Sequence, residues 1–256
     1  MYTIKLIIWL ILTNQRIICY NLYMERKQKH IVSLSGGKDS TAMVLIMIEK
    51  GMHIDEIVCC DTGMEFPEMY DHIKKLEDYI NKPITILKAK YSFEYYLGKH
   101  VKKNGQIGYG FPDFRNRWCT TLLKQNIMRT YCRGHIEYHG IALDEKHRAK
   151  KNKTNRNIRY PLVDWKITEK QALEFCYKKG FKWNGLYEKF KRVSCWCCPL
   201  SRLGELKTLY FEYPKLWAIL RRLDTLSYRQ FRSDYSVKQL EQKFNKENML
   251  LSVDKQ

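Results

Sequence analysis

The chain has 256 residues, 45% of them hydrophobic. It is long enough for one large α/β domain with a smaller appended part, and too apolar for wholesale disorder. Its 46 Lys and Arg against 27 Asp and Glu give a net charge of +19, which suits a polyanionic partner (a nucleotide, tRNA or DNA) as well as it suits a plain solvated basic surface. Nine cysteines, several of them clustered, fit metal ligation or thiol chemistry in a reducing cytoplasm better than a secreted disulfide framework.

Residues 3–11 form a mostly apolar run too short to span a bilayer, so no membrane partner is expected. Residues 1–28 read as an N-terminal extension, in which residues 1–23 precede a natural start at Met24. Residues 31–34 read as a strand, Ser35-Gly36-Gly37-Lys38-Asp39-Ser40 as a polar turn, and residues 41–50 as a helix that Gly51 ends. Strand, glycine turn and helix N-terminus in that order make an anion site. Glycine lets the backbone approach a phosphate, and the first helical N–H groups point at it. Lys38 adds a charge, and Ser35 and Ser40 add hydroxyls. The spacing is not that of the nucleoside-triphosphate loop, which has four residues between its glycine and Gly-Lys-Ser/Thr.

Further along, residues 56–60 read as a buried strand, followed by Asp61-Thr62-Gly63. Residues 67–80 have helical periodicity, with Met69, Ile73, Leu76 and Ile80 on one face, and residues 84–87 form a third strand. The alternation predicts an α/β fold with a doubly wound parallel sheet, whose ligand lies at the carboxyl ends of the strands. Four glycines in residues 98–117 suggest a mobile loop over the site. Residues 119–132 read as a helix, 136–142 as a strand and 144–159 as a strongly basic loop. Thr168 caps a helix that Gly180 stops, and a small helical, cysteine-containing region follows. The division expected is a nucleotide-binding α/β domain over 29–160 and a helical region over 161–256.

Five segments carry the chemistry. The first is the loop at Ser35–Ser40. The second is Asp61-Thr62-Gly63-Met64-Glu65-Phe66-Pro67-Glu68-Met69-Tyr70, where a strand end and a glycine turn present backbone groups and a carboxylate. In Arg117-Trp118-Cys119-Thr120 with Lys124, cations flank a helix start that suits phosphate or sulfate, and that start lowers the thiol pKa expected of Cys119. Gly140-Ile141-Ala142-Leu143-Asp144-Glu145 with Arg148 closes another strand, and Cys195-Trp196-Cys197-Cys198-Pro199 has Cys195 and Cys198 at the spacing of a metal half-site, for which Cys119 is the best partner.

In this order the segments resemble the phosphoadenosine phosphosulfate (PAPS) reductase family of the adenine nucleotide alpha-hydrolase-like superfamily. The likeness extends to its phage and mobile-element members and to DNA-phosphorothioation sulfurtransferases. The resemblance implies that Ser35, Gly36, Gly37, Lys38, Asp39 and Ser40 grip the phosphates of ATP or a related adenylate. It implies further nucleotide contacts from Asp61, Thr62, Gly63, Arg117, Lys124, Asp144 and Glu145, with Mg2+ at the last two. Lys38, Asp39 and Arg148 are the implied catalytic residues. Cys119, Cys195 and Cys198, with Cys197 as the candidate fourth, would hold a [4Fe–4S] cluster, with Zn2+ as the alternative.

Two departures bear on the reaction. Thr120 follows Cys119 where assimilatory reductases carry a second cysteine, and no cysteine follows Cys198. The expected function is therefore a nucleotide-dependent sulfurtransferase with ATP-pyrophosphatase-type activation. Its substrate is the nucleotide, its acceptor a candidate tRNA or DNA, and its sulfur donor or partner enzyme is unnamed by the sequence. Sulfonucleotide reduction and a non-catalytic nucleotide- or nucleic-acid-binding accessory role are the alternatives.

Overall fold

A computed structural model describes residues 28–150 and 157–253. The expected extension, apart from Gln28, and part of the basic segment lie outside the described residues. Five strands, β1 (His30–Leu34), β2 (Glu56–Asp61), β3 (Ile84–Lys88), β4 (Ile136–His139) and β5 (Ile158–Arg159), form one sheet in the order β3-β2-β1-β4-β5. Every pairing is parallel; Ile31 lies opposite Glu56 on one side of β1 and opposite Glu137 on the other. Covered on both faces, β1 and β2 are apolar runs, with Ile31, Val32, Leu34, Ile57 and Val58 buried. Strand order reverses between β1 and β4, and in open α/β sheets ligands bind outside the carboxyl ends of the strands at such a reversal.

The helix after β1, α1 (Lys38–Glu49), buries eight consecutive residues from Ser40 to Met47. A helix apolar all round must be covered all round. The sheet covers one side and a later helix, Glu169–Lys178, packs on the other. α1 starts three residues before the expected point because Gly37, with extended backbone, already serves as its cap. Next come α2 (Pro67–Ile80), with proline in its first turn, and α3 (Phe93–Gly98), capped by Ser92.

The glycine-rich stretch 98–117 is exposed at Lys103–Gly105 and packed down at Gly98 and over Gly108–Phe111. Gly108 donates to the His100 carbonyl at 2.7 Å and Gly110 to that of Leu97 at 3.0 Å. Phe111 is buried against Phe231, and the Trp118 indole donates to Gly110 O at 2.9 Å. Gly108 has φ 71°, and a Cβ there would strike the Leu97 carbonyl; Gly98, Gly108 and Gly110 permit close packing. The helix expected over 119–132 spans 118–131 (α4), interrupted by a π-helical turn, Thr121–Gln125.

β4 ends three residues before its expected limit. A short 3-10 turn (Leu143–Glu145) and α5 (Lys146–Lys150) replace the first part of the basic loop. Then follow α6 (Pro161–Asp164), α7 (Glu169–Lys178), α8 (Leu186–Lys189), α9 (Leu203–Glu212), α10 (Pro214–Leu226) and α11 (Val237–Val253). Thr168 and Gln171 form a reciprocal capping box on α7, as the sequence led one to expect for Thr168. The helical region shares one continuous core with the sheet, running from Val32 through Trp183 and Trp217 to Phe244. Among the described residues no helix is long and apolar enough to cross a membrane.

Gly140 sets the approach of β4 to α1. A Cβ there would lie 2.6 Å from Ser40 Cα and 2.7 Å from Ser40 N. Gly140→Ala is expected to destabilise the protein by about 1–3 kcal/mol, read as a lower urea midpoint, because both neighbours are backbone and cannot rotate away.

Candidate functional site

The loop between β1 and α1 sits at the reversal point of the sheet. Gly36 has φ 77°, and its carbonyl accepts the Trp183 indole N–H at 2.8 Å. The Ser35 N–H donates to Ser40 Oγ at 3.1 Å, the two hydroxyls are 2.9 Å apart, and Ser40 Oγ donates to the Gly37 carbonyl at 3.1 Å. Both serines expected to meet phosphate thus brace the loop. No side chain of Gly37 can cap α1, so acceptors must come from elsewhere. The Tyr187 hydroxyl supplies one, taking the Lys38 N–H at 2.8 Å.

Lys38 Nζ lies 2.7 Å from Glu169 Oε2 and 3.2 Å from Asp39 Oδ2. Burial disfavours its charge, but the two carboxylates outweigh burial and raise its pKa. Asp39 is more perturbed. Burial, only partly offset by Lys38, lifts its pKa from 3.8 to about 6, and Glu169 and Glu145 add repulsion. Its Oδ1 is buried without a hydrogen-bond partner. Among the described residues no three His, Cys, Asp or Glu side chains are arranged to hold a metal. Mg2+ is commonly held by one or two carboxylates plus substrate phosphates, and the orphaned oxygen of Asp39 fits that role.

The other expected contacts are differently engaged. Asp144 accepts the Glu169 N–H at 3.0 Å and so anchors the start of α7. Exposed Arg148 pairs with Glu145. At the end of β2, Asp61 accepts the Gly63 N–H and the Tyr70 hydroxyl, each at 2.8 Å, and pairs with Lys88 at 3.1 Å. Burial opposes its charge, but these donors prevail and hold its pKa below the ordinary value. Thr62 donates to Glu65 at 3.1 Å, and Lys124 pairs with the same Glu65 oxygen at 3.0 Å. Arg117 is exposed at the start of α4.

The thiols gather beside this pair. Thr62 Oγ1 is 3.9 Å from Cys195 Sγ, and the Trp196 N–H donates to Met64 O at 3.1 Å, pinning the cysteine segment to the end of β2. Burial raises the pKa of Cys119, and neighbouring Cys198 raises it further, contrary to the lowering expected at a helix start. Burial likewise pushes up Cys195 and Cys197, with Glu65 and Cys198 adding to it and Lys124 opposing it at Cys195. The four thiols are close enough to influence one another, but their spacing does not close into a metal cage. Cys59 is buried in β2, as expected of a packing residue, and half-buried Cys60 donates weakly to the Lys124 carbonyl.

Residues 29–201 match the model of the phosphoadenosine phosphosulfate reductase domain. The chain belongs to this family. It is similar to the uncharacterized protein MJ0066 of Methanocaldococcus jannaschii, 30% identical over 212 residues, which are 77% of this chain and 42% of that protein. It is also similar to MJ0973 of the same organism, 27% identical over 72% of this chain and 45% of the relative. The chain thus spans less than half the length of these curated relatives. Among solved structures it is similar to the phosphate complex of phosphoadenylyl-sulfate reductase from Candida auris, with 17% identity, a TM-score of 0.46, and coverage of 71% of this chain and 87% of that one. A second is the U34-tRNA thiolase NcsA from Methanococcus maripaludis with its [4Fe–4S] cluster, with 18% identity, a TM-score of 0.41, and coverage of 78% and 73%.

Sequence reading missed Glu169 and gave Tyr187 no role. Glu169 is signalled only as a carboxylate in the first turn of a capped helix, and nothing local joins it to a lysine 131 residues earlier. Trp183 is fixed by stacking on His72 at 4.3 Å.

The raised pKa of Asp39 makes the folded state bind its proton more tightly than the unfolded chain does. Its contribution to stability is fully present below about pH 4 and is lost as pH rises through about 6. Denaturant unfolding of the nucleotide-free protein between pH 4 and 7 is expected to show a loss of ~3 kcal/mol from this group, absent in Asp39→Asn.

Proposed function

We propose that this PAPS reductase-family domain binds ATP or a related adenylate at the β1–α1 loop. There it activates an acceptor by pyrophosphate release and serves a sulfur-transfer reaction. The carrying observation is a lysine and a buried, partnerless carboxylate oxygen together at the N-terminus of α1, where strand order reverses. The helix terminus and Lys38 favour phosphate oxygens. Tyr187 and Trp183 hold the loop in shape from outside. Mg2+ held by Asp39 would neutralise charge on the phosphates.

In the reaction, an acceptor oxygen attacks the α-phosphorus, the bond from that phosphorus to the bridging oxygen breaks, and pyrophosphate leaves with the electron pair. Lys38 stabilises the charge that develops. A sulfur nucleophile from the donor then displaces AMP from the activated acceptor. Arg148 reaches this chemistry only by leaving Glu145. The cysteine segment supplies thiolate-forming donors suited to [4Fe–4S] or zinc. As ligands, Cys119, Cys195 and Cys198 must close up and lose their protons.

Lys38→Ala is expected to weaken Mg·ATP binding about tenfold or more by titration calorimetry, as for loss of a charge-assisted contact, and to abolish pyrophosphate release. Unchanged turnover sinks the reading. Glu169→Gln frees Lys38 from its strongest competitor and is expected to tighten Mg·ATP binding several-fold in the same titration. Iron, acid-labile sulfide and zinc counted after anaerobic purification test the thiols. Bound metal should be lost when Cys195 or Cys198 becomes Ala, and a metal-free protein removes the ligand reading.

A further inference from the structure

From Lys88 to Arg117 the chain carries seven lysines and arginines against two carboxylates, Glu94 and Asp113, with seven aromatic residues interleaved. Some rings, such as Phe93 and Phe111, are buried. The others form a run in which Tyr91 and Phe114 are exposed and Tyr95, Tyr96 and Tyr109 are half-buried. Tyr91 stacks on Tyr95 at 4.3 Å, His100 lies 5.5 Å from Tyr96, and His100 stacks almost parallel on Tyr109 at 5.3 Å. Lys102 Nζ sits 4.8 Å from the Tyr109 ring and 5.6 Å from that of Tyr228. Tyr228 is 55% exposed and donates to the Tyr109 carbonyl at 3.2 Å.

The run ends at a groove of about 550 Å3 lined by Phe114, Leu200 and Arg229. Phe114 is 71% exposed, with the Arg115 guanidinium 5.1 Å from its ring. Pro199 on the groove wall directly follows Cys198, and Tyr109 stacks on Trp118, the neighbour of Cys119. The run starts beside Lys88, opposite Asp61 at the carboxyl edge of the sheet. It therefore leads from the nucleotide edge to the thiols.

Three exposed rings, Tyr91, Phe114 and Tyr228, set among cations on a half-buried aromatic bed suit one ligand chemistry above others. Cations take phosphates, and ring faces take bases whose own faces are open. A duplex hides those faces within its stack. We infer that this surface binds single-stranded nucleic acid and brings an unpaired nucleotide into the groove beside Cys198. The inference names the acceptor class for the proposed reaction, and for its chemical purpose it rests on that reading. The binding itself needs no ATP.

The test uses the full chain without nucleotide and fluorescein-labelled 20-nucleotide oligo-dT and oligo-U, followed by anisotropy at several salt concentrations. A fully paired hairpin with the same number of phosphates is the comparison. Single strands are expected to bind at least tenfold more tightly than the hairpin, with affinity falling linearly in log–log against salt. Phe114→Ala and Tyr91→Ala should each weaken single-strand binding about tenfold. Tyr79→Ala, 56% exposed near the other end of α2, should not. Matching thermal melts would show that the variants fold. Equal affinity for the hairpin, no effect of either ring, or equally tight binding to anionic lipid vesicles overturns the inference. Because these titrations contain no ATP, failure of the Lys38 site leaves them unaffected, and their failure leaves pyrophosphate release standing.

Discussion

The site depends on one steric constraint, the contact between the end of β4 and the first turn of α1. Gly140 presses against Ser40 with no room for a methyl group. That contact fixes where β4 stops. The short turn after it then places Asp144 to hold the N-terminus of α7. α7 in turn covers the outer face of α1 and delivers Glu169 to Lys38. Sheet, loop and helical region are thus coupled through a few ångströms at the reversal of strand order.

Electrostatics then decide what the β1–α1 loop favours. Lys38 is not an idle cation; two carboxylates already balance it. An incoming phosphate must outcompete Glu169, whereas a cation arriving with that phosphate meets the unsatisfied oxygen of Asp39. The arrangement favours an anion that brings its own metal over a bare anion. Glu65 plays a similar part farther along the edge. It holds Lys124 beside Cys195, where burial and the Glu65 carboxylate keep the thiol protonated against the pull of that lysine.

Much of this was legible in residue order. The apolar run before Ser35, the glycine pair and the run after it led to strand, turn and helix, because burial on two faces leaves little else that such a sequence can do. The box at Thr168 was legible for the same local reason. Gly98, Gly108 and Gly110 were misread, since glycine marks either freedom or crowding and only the neighbouring chain tells which. The serines of the loop were read as donors to a ligand, yet their own backbone claims them. The partners of Lys38 were illegible in principle, because Glu169 and Tyr187 approach it only after the chain has crossed the sheet.

The contacts that complete the loop span 131 residues to Glu169, 147 to Trp183 and 149 to Tyr187. Contacts this distant along the chain form late, after loop-closure entropy has been overcome. During synthesis, the segment that opens at Ser35 leaves the ribosome well before Tyr187 has been made. The nascent chain therefore carries the β1–α1 loop without its distant braces until Tyr187 has been made. The braced shape of the loop arrives only once the helical region has docked, and a ligand that needs that shape can reward only chains in which this has happened.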